Sequence, residues 1–219
     1  MNAHIGPASS PMGFISDIHG NLEALEAVLT EFAQRAVVDI YVAGDLLLGG
    51  DEPLAVWQCL TRAGARCVQG VSDAALASVR ALDLQPKTEE ERARADRFRR
   101  TQQAVGDLVL RQLSSLPREL RIPMIDGSEL LLVHGSPGAP TEEISHELDD
   151  EEMRSRLADD PADIIVCGAT HVPFIRDLGD VQVVNVGSVG QAPEGRFAHY
   201  TIISPRLNGA DATQVHVEY

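Results

Sequence analysis

The apolar segments of this chain share one way of ending. Six short runs of strand type are each followed at once by a small polar cluster with a glycine in or beside it. The clusters begin at Asp17, Gly44, Gly70, His134, Gly168 and Asn185. Because ligands of open α/β sheets lie beyond the carboxyl ends of the strands, these polar side chains are expected to gather in one place. The pattern predicts an α/β protein with a ligand site at that edge.

The first third of the chain alternates between the two kinds of periodicity. Apolar runs at 12–16, 39–43 and 66–69 predict buried strands, and the helical spacing of apolar residues at 21–35 and 53–63 predicts helices between them. This β-α-β-α-β order is typical of a mostly parallel sheet. Further strands are predicted at 121–125, 129–133, 164–167, 181–186, 199–204 and 213–219.

Residues 74–120 interrupt the strands with a polar segment rich in Arg and Glu, which predicts a helical excursion. Thr88 and Glu91 form a capping-box pattern for a helix running toward Leu116, and Pro117 ends it. The excursion is either a lid that shapes specificity or a cover for the core. Residues 1–11 have no basic and apolar regions of a signal peptide and are interpreted as a tail. No linker divides the chain, so residues 1–219 are predicted to form one domain.

Charge and cysteine usage restrict the partners and the location. The net charge of −15 disfavours a long nucleic acid or an anionic membrane as partner, since both would be repelled. The densest basic stretch, residues 92–100, alternates with acidic residues and favours a solvated helix face. Cys59, Cys67 and Cys167 form no C-x-x-C pair and are expected to be free thiols. A cytoplasmic protein with a small phosphorylated substrate is the prediction.

The ordered motifs Asp-x-His, Gly-Asp, Gly-x-x-Asp, His-Gly and Gly-x-Thr-His carry carboxylates and imidazoles, the ligands that transition metals prefer. Together with the strings SDIHGNLEAL, AGDLLLGG, VHGSP, THVPF and NVGSVGQ, they resemble the calcineurin-like metallophosphoesterase superfamily. The resemblance is to its small bacterial branch, which includes phosphodiesterases and a diadenosine tetraphosphate hydrolase. It runs from about residue 12 to residue 203 and implies a four-layered α/β/β/α sandwich of two mixed sheets flanked by helices.

The resemblance also implies metal ligands. Asp17, His19, Asp45 and His171 match the ligands of the first ion, and Asp45 matches the carboxylate that bridges to a second ion. His134 matches a ligand of the second ion. Two carboxylates and two imidazoles suit Mn, Fe or Zn better than Ca or Mg.

The second metal site departs from the family pattern. Val71 stands where the family has Asn, Ala169 where it has His, and Ser72 where it has a His or Cys that is thought to act on the leaving group. Because aliphatic side chains offer no lone pair, one tightly bound transition ion is expected. Losing half of a two-metal clamp is expected to slow hydrolysis by on the order of 10²–10³.

Two functions follow from this pattern. The first is a weak phosphoesterase acting on a small phosphomonoester, phosphodiester or nucleotide, in which Asp45 and His134 are the catalytic candidates. His134 is a metal ligand, a phosphate contact or a passive core histidine. Asn185 and Ser188, in the string that replaces the family's Asn-Pro-Gly-Ser, either contact the substrate phosphate or only form a tight turn. The second function is a binding or scaffold module, like the retromer subunit of this fold.

Overall fold

The computed structural model of the protein describes residues 6–219. Ten strands and five α-helices lie in this range. The strands are β1 (Met12–Ile15), β2 (Asp39–Val42), β3 (Arg66–Cys67), β4 (Glu119–Pro123), β5 (Glu129–Val133), β6 (Ile164–Cys167), β7 (Phe174–Asp177), β8 (Gln182–Asn185), β9 (Phe197–Arg206) and β10 (Gly209–Glu218). The helices are α1 (Leu22–Gln34), α2 (Pro53–Arg62), α3 (Val71–Ser78), α4 (Glu89–Ser114) and α5 (Asp150–Leu157).

The strands form two mixed sheets of five strands each. The first has the order β10-β9-β1-β2-β3 and the second the order β4-β5-β6-β8-β7. In each sheet three neighbouring strands run parallel, β1-β2-β3 in the first and β5-β6-β8 in the second. The remaining strands pair antiparallel at the sides. These six parallel strands are the ones that the polar clusters follow.

Apolar side chains fill three layers, which makes the molecule a four-layered α/β/β/α sandwich, as the sequence predicts. Between the sheets, Phe14 stacks on Tyr41 with ring centroids 5.1 Å apart, and both pack with Leu132 and Val166 of the second sheet. Helices α1, α2 and α4 cover the outer face of the first sheet. The outer face of the second sheet packs against α5 through Met153 and its neighbours.

Helix α1 shows how local sequence sets this packing. Asn21 caps the helix as predicted, since its side-chain oxygen accepts the Ala24 N–H at 3.1 Å. Val28 and Phe32 recur at helical spacing on the buried face. The Phe32 ring rests on β1 at Gly13, where a Cβ would come within 2.5 Å of the ring. Gly13 therefore allows the helix to approach the sheet closely.

Helix α4 begins with the predicted capping box, in which Thr88 and Glu91 bond each other's backbone N–H groups. Its buried residues, including Phe98 and Val105, pack in the same core as α1. Gly106 has φ 72° and ψ 171°, so the helix is broken there into two parts. The excursion therefore covers core, which was one of its two expected roles.

The sequence prediction missed strand β7 and misplaced some boundaries. Strand β7 was not predicted, because its four residues, FIRD, contain only two apolar side chains and follow a proline. Helix α3 starts at Val71, inside the third motif, and β3 is correspondingly short. The first five residues of the predicted tail lie outside the described range. Cys59 and Cys167 are buried free thiols and Cys67 is half-buried. No helix within residues 6–219 is both long and apolar enough to cross a membrane.

Candidate metal centre

The loops that follow the parallel strands of both sheets converge, and they do so through unusual backbone conformations. Eight non-glycine residues in the described range have positive φ, and these include Asp17, His19, Asp45, Ala169 and His171. A left-handed conformation of this kind typically costs on the order of 1–3 kcal/mol and tends to occur at functional sites. The backbone strain is therefore concentrated at the positions that the motifs single out.

Asp17, His19 and His171 form the first half-site. Asp17 Oδ1 lies 3.5 Å from His19 Nε2 and 3.2 Å from His171 Nε2. The two imidazole nitrogens are 3.2 Å apart. These three atoms, two from the loop after β1 and one from the loop after β6, are close enough to share one metal ion.

The Nδ1 atoms of His19 and His171 contact backbone carbonyls, and these contacts determine whether each Nε2 carries a proton. His19 Nδ1 lies 2.8 Å from the Leu48 carbonyl, and His171 Nδ1 lies 3.1 Å from the Gln191 carbonyl. Because a carbonyl only accepts, each Nδ1 carries the proton, and each Nε2 of a neutral ring presents a lone pair. Two lone pairs and a carboxylate oxygen that face one another require a cation between them. Such backbone contacts also orient imidazoles that bind metals.

Asp17 provides a second observation that the site suits a cation. Its Oδ2 accepts the Ala169 N–H at 3.0 Å, but its Oδ1 is buried without any hydrogen-bond partner among the described residues. A buried, unpaired carboxylate oxygen is costly, and a metal ion at this position would satisfy it. The residues present therefore fit a divalent ion.

The electrostatics of this pair agree with that fit. Burial alone would raise the pKa of Asp17, but the adjacent imidazoles of His171 and His19, when each carries a proton on Nε2, outweigh burial and hold the pKa well below its usual range. Burial would lower the pKa of His19, and the contact with Asp17 outweighs it and raises the pKa. Both shifts have one cause, which is that the site favours a positive charge beside Asp17, whether a proton or a metal ion.

His134 belongs to the second half-site, to which the family resemblance also assigns positions 71 and 169, and Asp45 lies between the two halves. Asp45 Oδ2 is 4.0 Å from His19 Nε2, while Oδ1 is 3.6 Å from His134 Nε2. His134 Nδ1 lies 2.7 Å from the Ala43 carbonyl, so its Nε2 also faces the site. Asp17, Asp45 and His134 are again close enough to share an ion.

The two departures from the family pattern lie in this second half-site. Val71 is the first residue of α3 and its side chain is 43% exposed. Ala169 contributes only its backbone N–H, which is bonded to Asp17. The Asp45 Oδ1 atom, which would face a second ion, accepts the Ser72 N–H at 2.8 Å. A backbone donor therefore occupies part of the shell of that oxygen.

Asp73 is a functional residue to which the sequence assigned no role beyond its place in Gly-x-x-Asp. It is fully buried, and its carboxylate accepts the N–H groups of Asp45, Leu46 and Gly70 at 2.9–3.0 Å. Burial and the nearby Asp45 raise the pKa of Asp73 to about 6, although these hydrogen bonds oppose the rise. Asp73 positions the loop that carries Asp45. The sequence feature that could have pointed to Asp73 is its place in the Gly-x-x-Asp motif that follows β3.

Asn185 and Ser188 are fully buried beneath the same loops. Asn185 donates to the Gly168 carbonyl at 2.7 Å and accepts the N–H of the glycine two residues on at 3.0 Å. Ser188 Oγ donates to the Asp17 carbonyl at 2.9 Å and accepts the Gln191 N–H at 2.8 Å. These bonds hold together the loops that carry the first half-site, which agrees with the tight-turn reading. Contact with substrate phosphate stays a prediction for both residues.

The order of these loops identifies the family. Residues 11–206 match the model of the calcineurin-like phosphoesterase superfamily domain. The chain therefore belongs to the calcineurin-like phosphoesterase superfamily. Family membership and the Asp/His groups together support a metal-dependent phosphoesterase as the class of protein.

Particular relatives agree with this assignment. The chain is 28% identical over 204 residues to the uncharacterized protein MJ0912 of Methanocaldococcus jannaschii, covering 85% of this chain and 79% of that protein. It is similar to the crystal structure of a metallophosphoesterase from Sphaerobacter thermophilus, with a TM-score of 0.75, 26% identity, and coverage of 97% of this chain and 89% of the other. The hypothetical protein PH1004 from Pyrococcus horikoshii shares the fold, with a TM-score of 0.82, 19% identity, and coverage of 95% and 88%.

Proposed function

We propose that the protein hydrolyses a small phosphomonoester, phosphodiester or nucleotide with one divalent transition ion. Asp17, His19, Asp45 and His171 would hold the ion. The observation that carries the proposal is the convergence of Asp17 Oδ1 and two imidazole Nε2 atoms within 3.2–3.5 Å of one another. The mixed nitrogen and oxygen ligands favour Mn, Fe or Zn.

The proposal of a single ion rests on the second half-site. Two of its four family ligands are replaced by Val71 and Ala169, which offer no side-chain lone pair. The remaining carboxylate oxygen is already bonded to the Ser72 N–H. His134 would be the single full-strength ligand there besides Asp45, which is too few to retain an ion tightly.

The chemistry needs both the ion and the protein groups around it. A divalent ion at this position lowers the pKa of bound water to about 7 and offsets charge on the phosphoryl oxygens. Asp17 is ionised, because the two imidazoles beside it keep its pKa low, and its Oδ1 faces the Nε2 atoms of both rings, the arrangement that would hold the ion. Asp45, between the half-sites, keeps one oxygen toward each.

His134 is the proposed catalytic residue beside the ion. Its Nδ1–H is bonded to the Ala43 carbonyl, so its Nε2 is the atom free to act. Neutral, that nitrogen accepts a hydrogen bond from water; protonated, it donates a proton to the leaving oxygen or a hydrogen bond to the phosphate. Of its three open roles, the geometry favours the two that use Nε2 over the passive core histidine.

Metal analysis of the purified protein tests the proposal directly. We expect one tightly bound ion per chain, hydrolysis of phenyl phosphate and of aryl phosphodiesters, and loss of both on chelation. Two tightly held ions per chain would contradict the one-ion site. Metal-free protein that is inactive with Mn, Fe and Zn would favour the scaffold function, for which the exposed Val71 in the second half-site is the supporting observation. The proposed substrate is small, since the charge of −15 disfavours polyanions and membranes. A cytoplasmic location is proposed from the three free cysteines.

A further inference from the structure

We propose that the cavity beside the metal centre is a specificity pocket for phosphoesters that carry an apolar body and a second anionic group. This inference rests on the proposed function, because it takes the metal centre as the place where the reacting phosphate binds. It goes further in naming the class of substrate.

The cavity connects the metal centre with the helical excursion. It has a volume of about 660 Å³ and reaches His19 at one end, beside Gly49, Ser72 and Gln191. The opposite wall belongs to residues 84–98, the loop before α4 and its first turns. A volume of this size suits a small organic ligand and exceeds what phosphate alone needs.

Most of the cavity wall is apolar. The apolar side chains in it come from the loop after β2 and from the excursion: Leu48, Leu84, Pro86, Ala95 and Phe98. Phe98 and Ala95 are themselves buried in the core, so this wall is firmly supported. The ester group beyond the reacting phosphate should therefore be apolar, such as an aromatic ring.

The cavity also contains a cluster of cations in a strongly acidic chain. Lys87, Arg94 and Arg97 line it. Lys87 is the only lysine of the sequence. Arg94 is paired with Glu90, whereas neither Lys87 nor Arg97 has a carboxylate within ion-pair distance anywhere in residues 6–219.

The single acid of the cavity does not neutralise these cations. Glu91 lines the cavity, but its carboxylate accepts the N–H groups of Lys87 and Thr88 as part of the capping box. Two cations without partners are therefore left facing the cavity. An anionic group on the ligand is the partner that they lack.

Outside the cavity, two arginines of α4 lie in the solvated arrangement that the sequence predicts for residues 92–100. Arg92 and Arg99 do not line the cavity, and they pair with Glu89 and Asp96 in exposed contacts. Among the described residues, the cavity-lining Arg97 therefore has no ion pair, whereas Arg92 and Arg99, outside the cavity, are both paired. This difference provides a matched control.

Calorimetric binding to the metal-loaded protein tests the inference with three esters: methyl phosphate, phenyl phosphate and 4-(carboxymethyl)phenyl phosphate. We expect the affinity to rise in that order. The double variant Lys87→Gln/Arg97→Gln should weaken binding of the carboxymethyl ester by at least about tenfold, as for loss of a charge-assisted hydrogen bond, and of phenyl phosphate by less than about threefold. The control Arg92→Gln/Arg99→Gln changes the net charge equally and should affect neither.

The apolar wall of the cavity is tested by a second variant and its matched control. Leu84→Gln should reduce the preference for phenyl over methyl phosphate by about threefold to tenfold, because it removes apolar contact area. Leu82→Gln, two residues away with a side chain 80% exposed and outside the cavity, should leave the preference unchanged.

The outcomes separate the pocket from the function. Three results would contradict the proposed specificity pocket. In the first, the Lys87→Gln/Arg97→Gln variant binds both aryl esters equally less tightly, and in the second, the control variant has the same effect. The third such result is that the protein binds none of the esters. Hydrolysis of phenyl phosphate without these preferences would leave the proposed function standing and reject the inference. Preferences in binding without hydrolysis by any metal-loaded form would reject the proposed function alone.

Discussion

The two half-sites each take residues from loops of both sheets, yet they differ in what surrounds their ligand atoms. In the first, Asp17 Oδ1 and two imidazole nitrogens face one another without a donor. In the second, Asp45 Oδ1 has the Ser72 N–H, and the neighbouring positions are Val71 and Ala169. In the first half-site the carboxylate oxygen has no hydrogen-bond donor among the described residues, whereas in the second it has a backbone donor.

This difference is the basis for proposing one tightly held ion where the family resemblance implies two. The loops of the second half-site keep the left-handed backbone of Ala169 and the buried Asp73 that positions Asp45. Val71 and Ala169 offer no side-chain lone pair to an ion, and the Ser72 N–H already bonds Asp45 Oδ1. The scaffold of a two-metal site is thus still present, which makes the comparison open to experiment.

The largest effect should come from the first half-site. Asp17→Asn removes the charge around which both imidazoles are arranged, so ion retention should weaken by at least about 10²-fold and hydrolysis should fall by on the order of 10²–10³. Metal content and turnover of phenyl phosphate measure this. Asp159→Asn, an exposed residue outside the site, is the control. An active, metal-bearing Asp17→Asn protein would show that the first half-site is not the metal centre.

A smaller effect is expected from His134→Gln, which tests the surviving ligand of the second half-site. The ion should stay at one per chain, because His134 is not among the proposed ligands of the first ion. Turnover should fall by on the order of 10², the usual contribution of a positioned acid or base. The exposed His146→Gln provides the comparison. Loss of the ion from the His134 variant would place this residue in the metal shell instead.

Rebuilding the second half-site should give a gain of at least roughly tenfold, a modest share of the rate attributed to a missing metal contact. Val71→Asn with Ala169→His restores an amide oxygen and an imidazole beside Asp45 and His134. Ala169 has φ 69°, a conformation that histidine adopts more readily than most residues. Two ions per chain and faster hydrolysis of aryl phosphoesters are the expected results.

Each single variant should fall short, since the two changes share one ion and their effects are non-additive. Overpacking by the new histidine can cost about 1–3 kcal/mol, so the folded state is checked first by circular dichroism. A folded double variant with one ion and an unchanged rate would mean that the Ser72 N–H, or the loops around it, exclude the second ion for reasons beyond the two side chains.

The smallest expected effect concerns how the free energy of unfolding depends on pH, through a histidine outside the metal centre. Burial lowers the pKa of His199, although Glu194 opposes the shift, and His216 adds to it. The unfolded chain then takes up a proton near pH 6.5, where folded His199 does not, so stability falls as the pH drops below about 6.5. His199→Gln should flatten this part of the stability curve in urea titrations at pH 5–7, without changing metal content. An unchanged slope, equal to that of His146→Gln, would contradict it.

Prediction from sequence succeeded where a pattern has a direct physical cause. Asn21 and Thr88 were recognised as helix caps, and the clusters after the strands were expected to converge, because parallel strands end at one edge. Asp73 received no role, since only three-dimensional structure shows which backbone N–H groups a buried carboxylate accepts. The hydrogen bond from the Ser72 N–H to Asp45 could not be predicted either, because every residue except proline has a backbone N–H. The cavity depends on how residues 84–98 lie over His19, which periodicity does not determine.

The metal ligands come from both sheets, and this has a consequence for the stability of the molecule. His19 and His171 are 152 positions apart in the sequence, and the sheets that carry them are joined by apolar packing and by hydrogen bonds between their loops. An ion held by both would act as a reversible cross-link that closes a long loop. Because it binds the folded chain and not the unfolded one, free metal at 100 times its dissociation constant would add about 2.7 kcal/mol to the free energy of unfolding. The amount of folded protein in a cell would then follow its supply of metal.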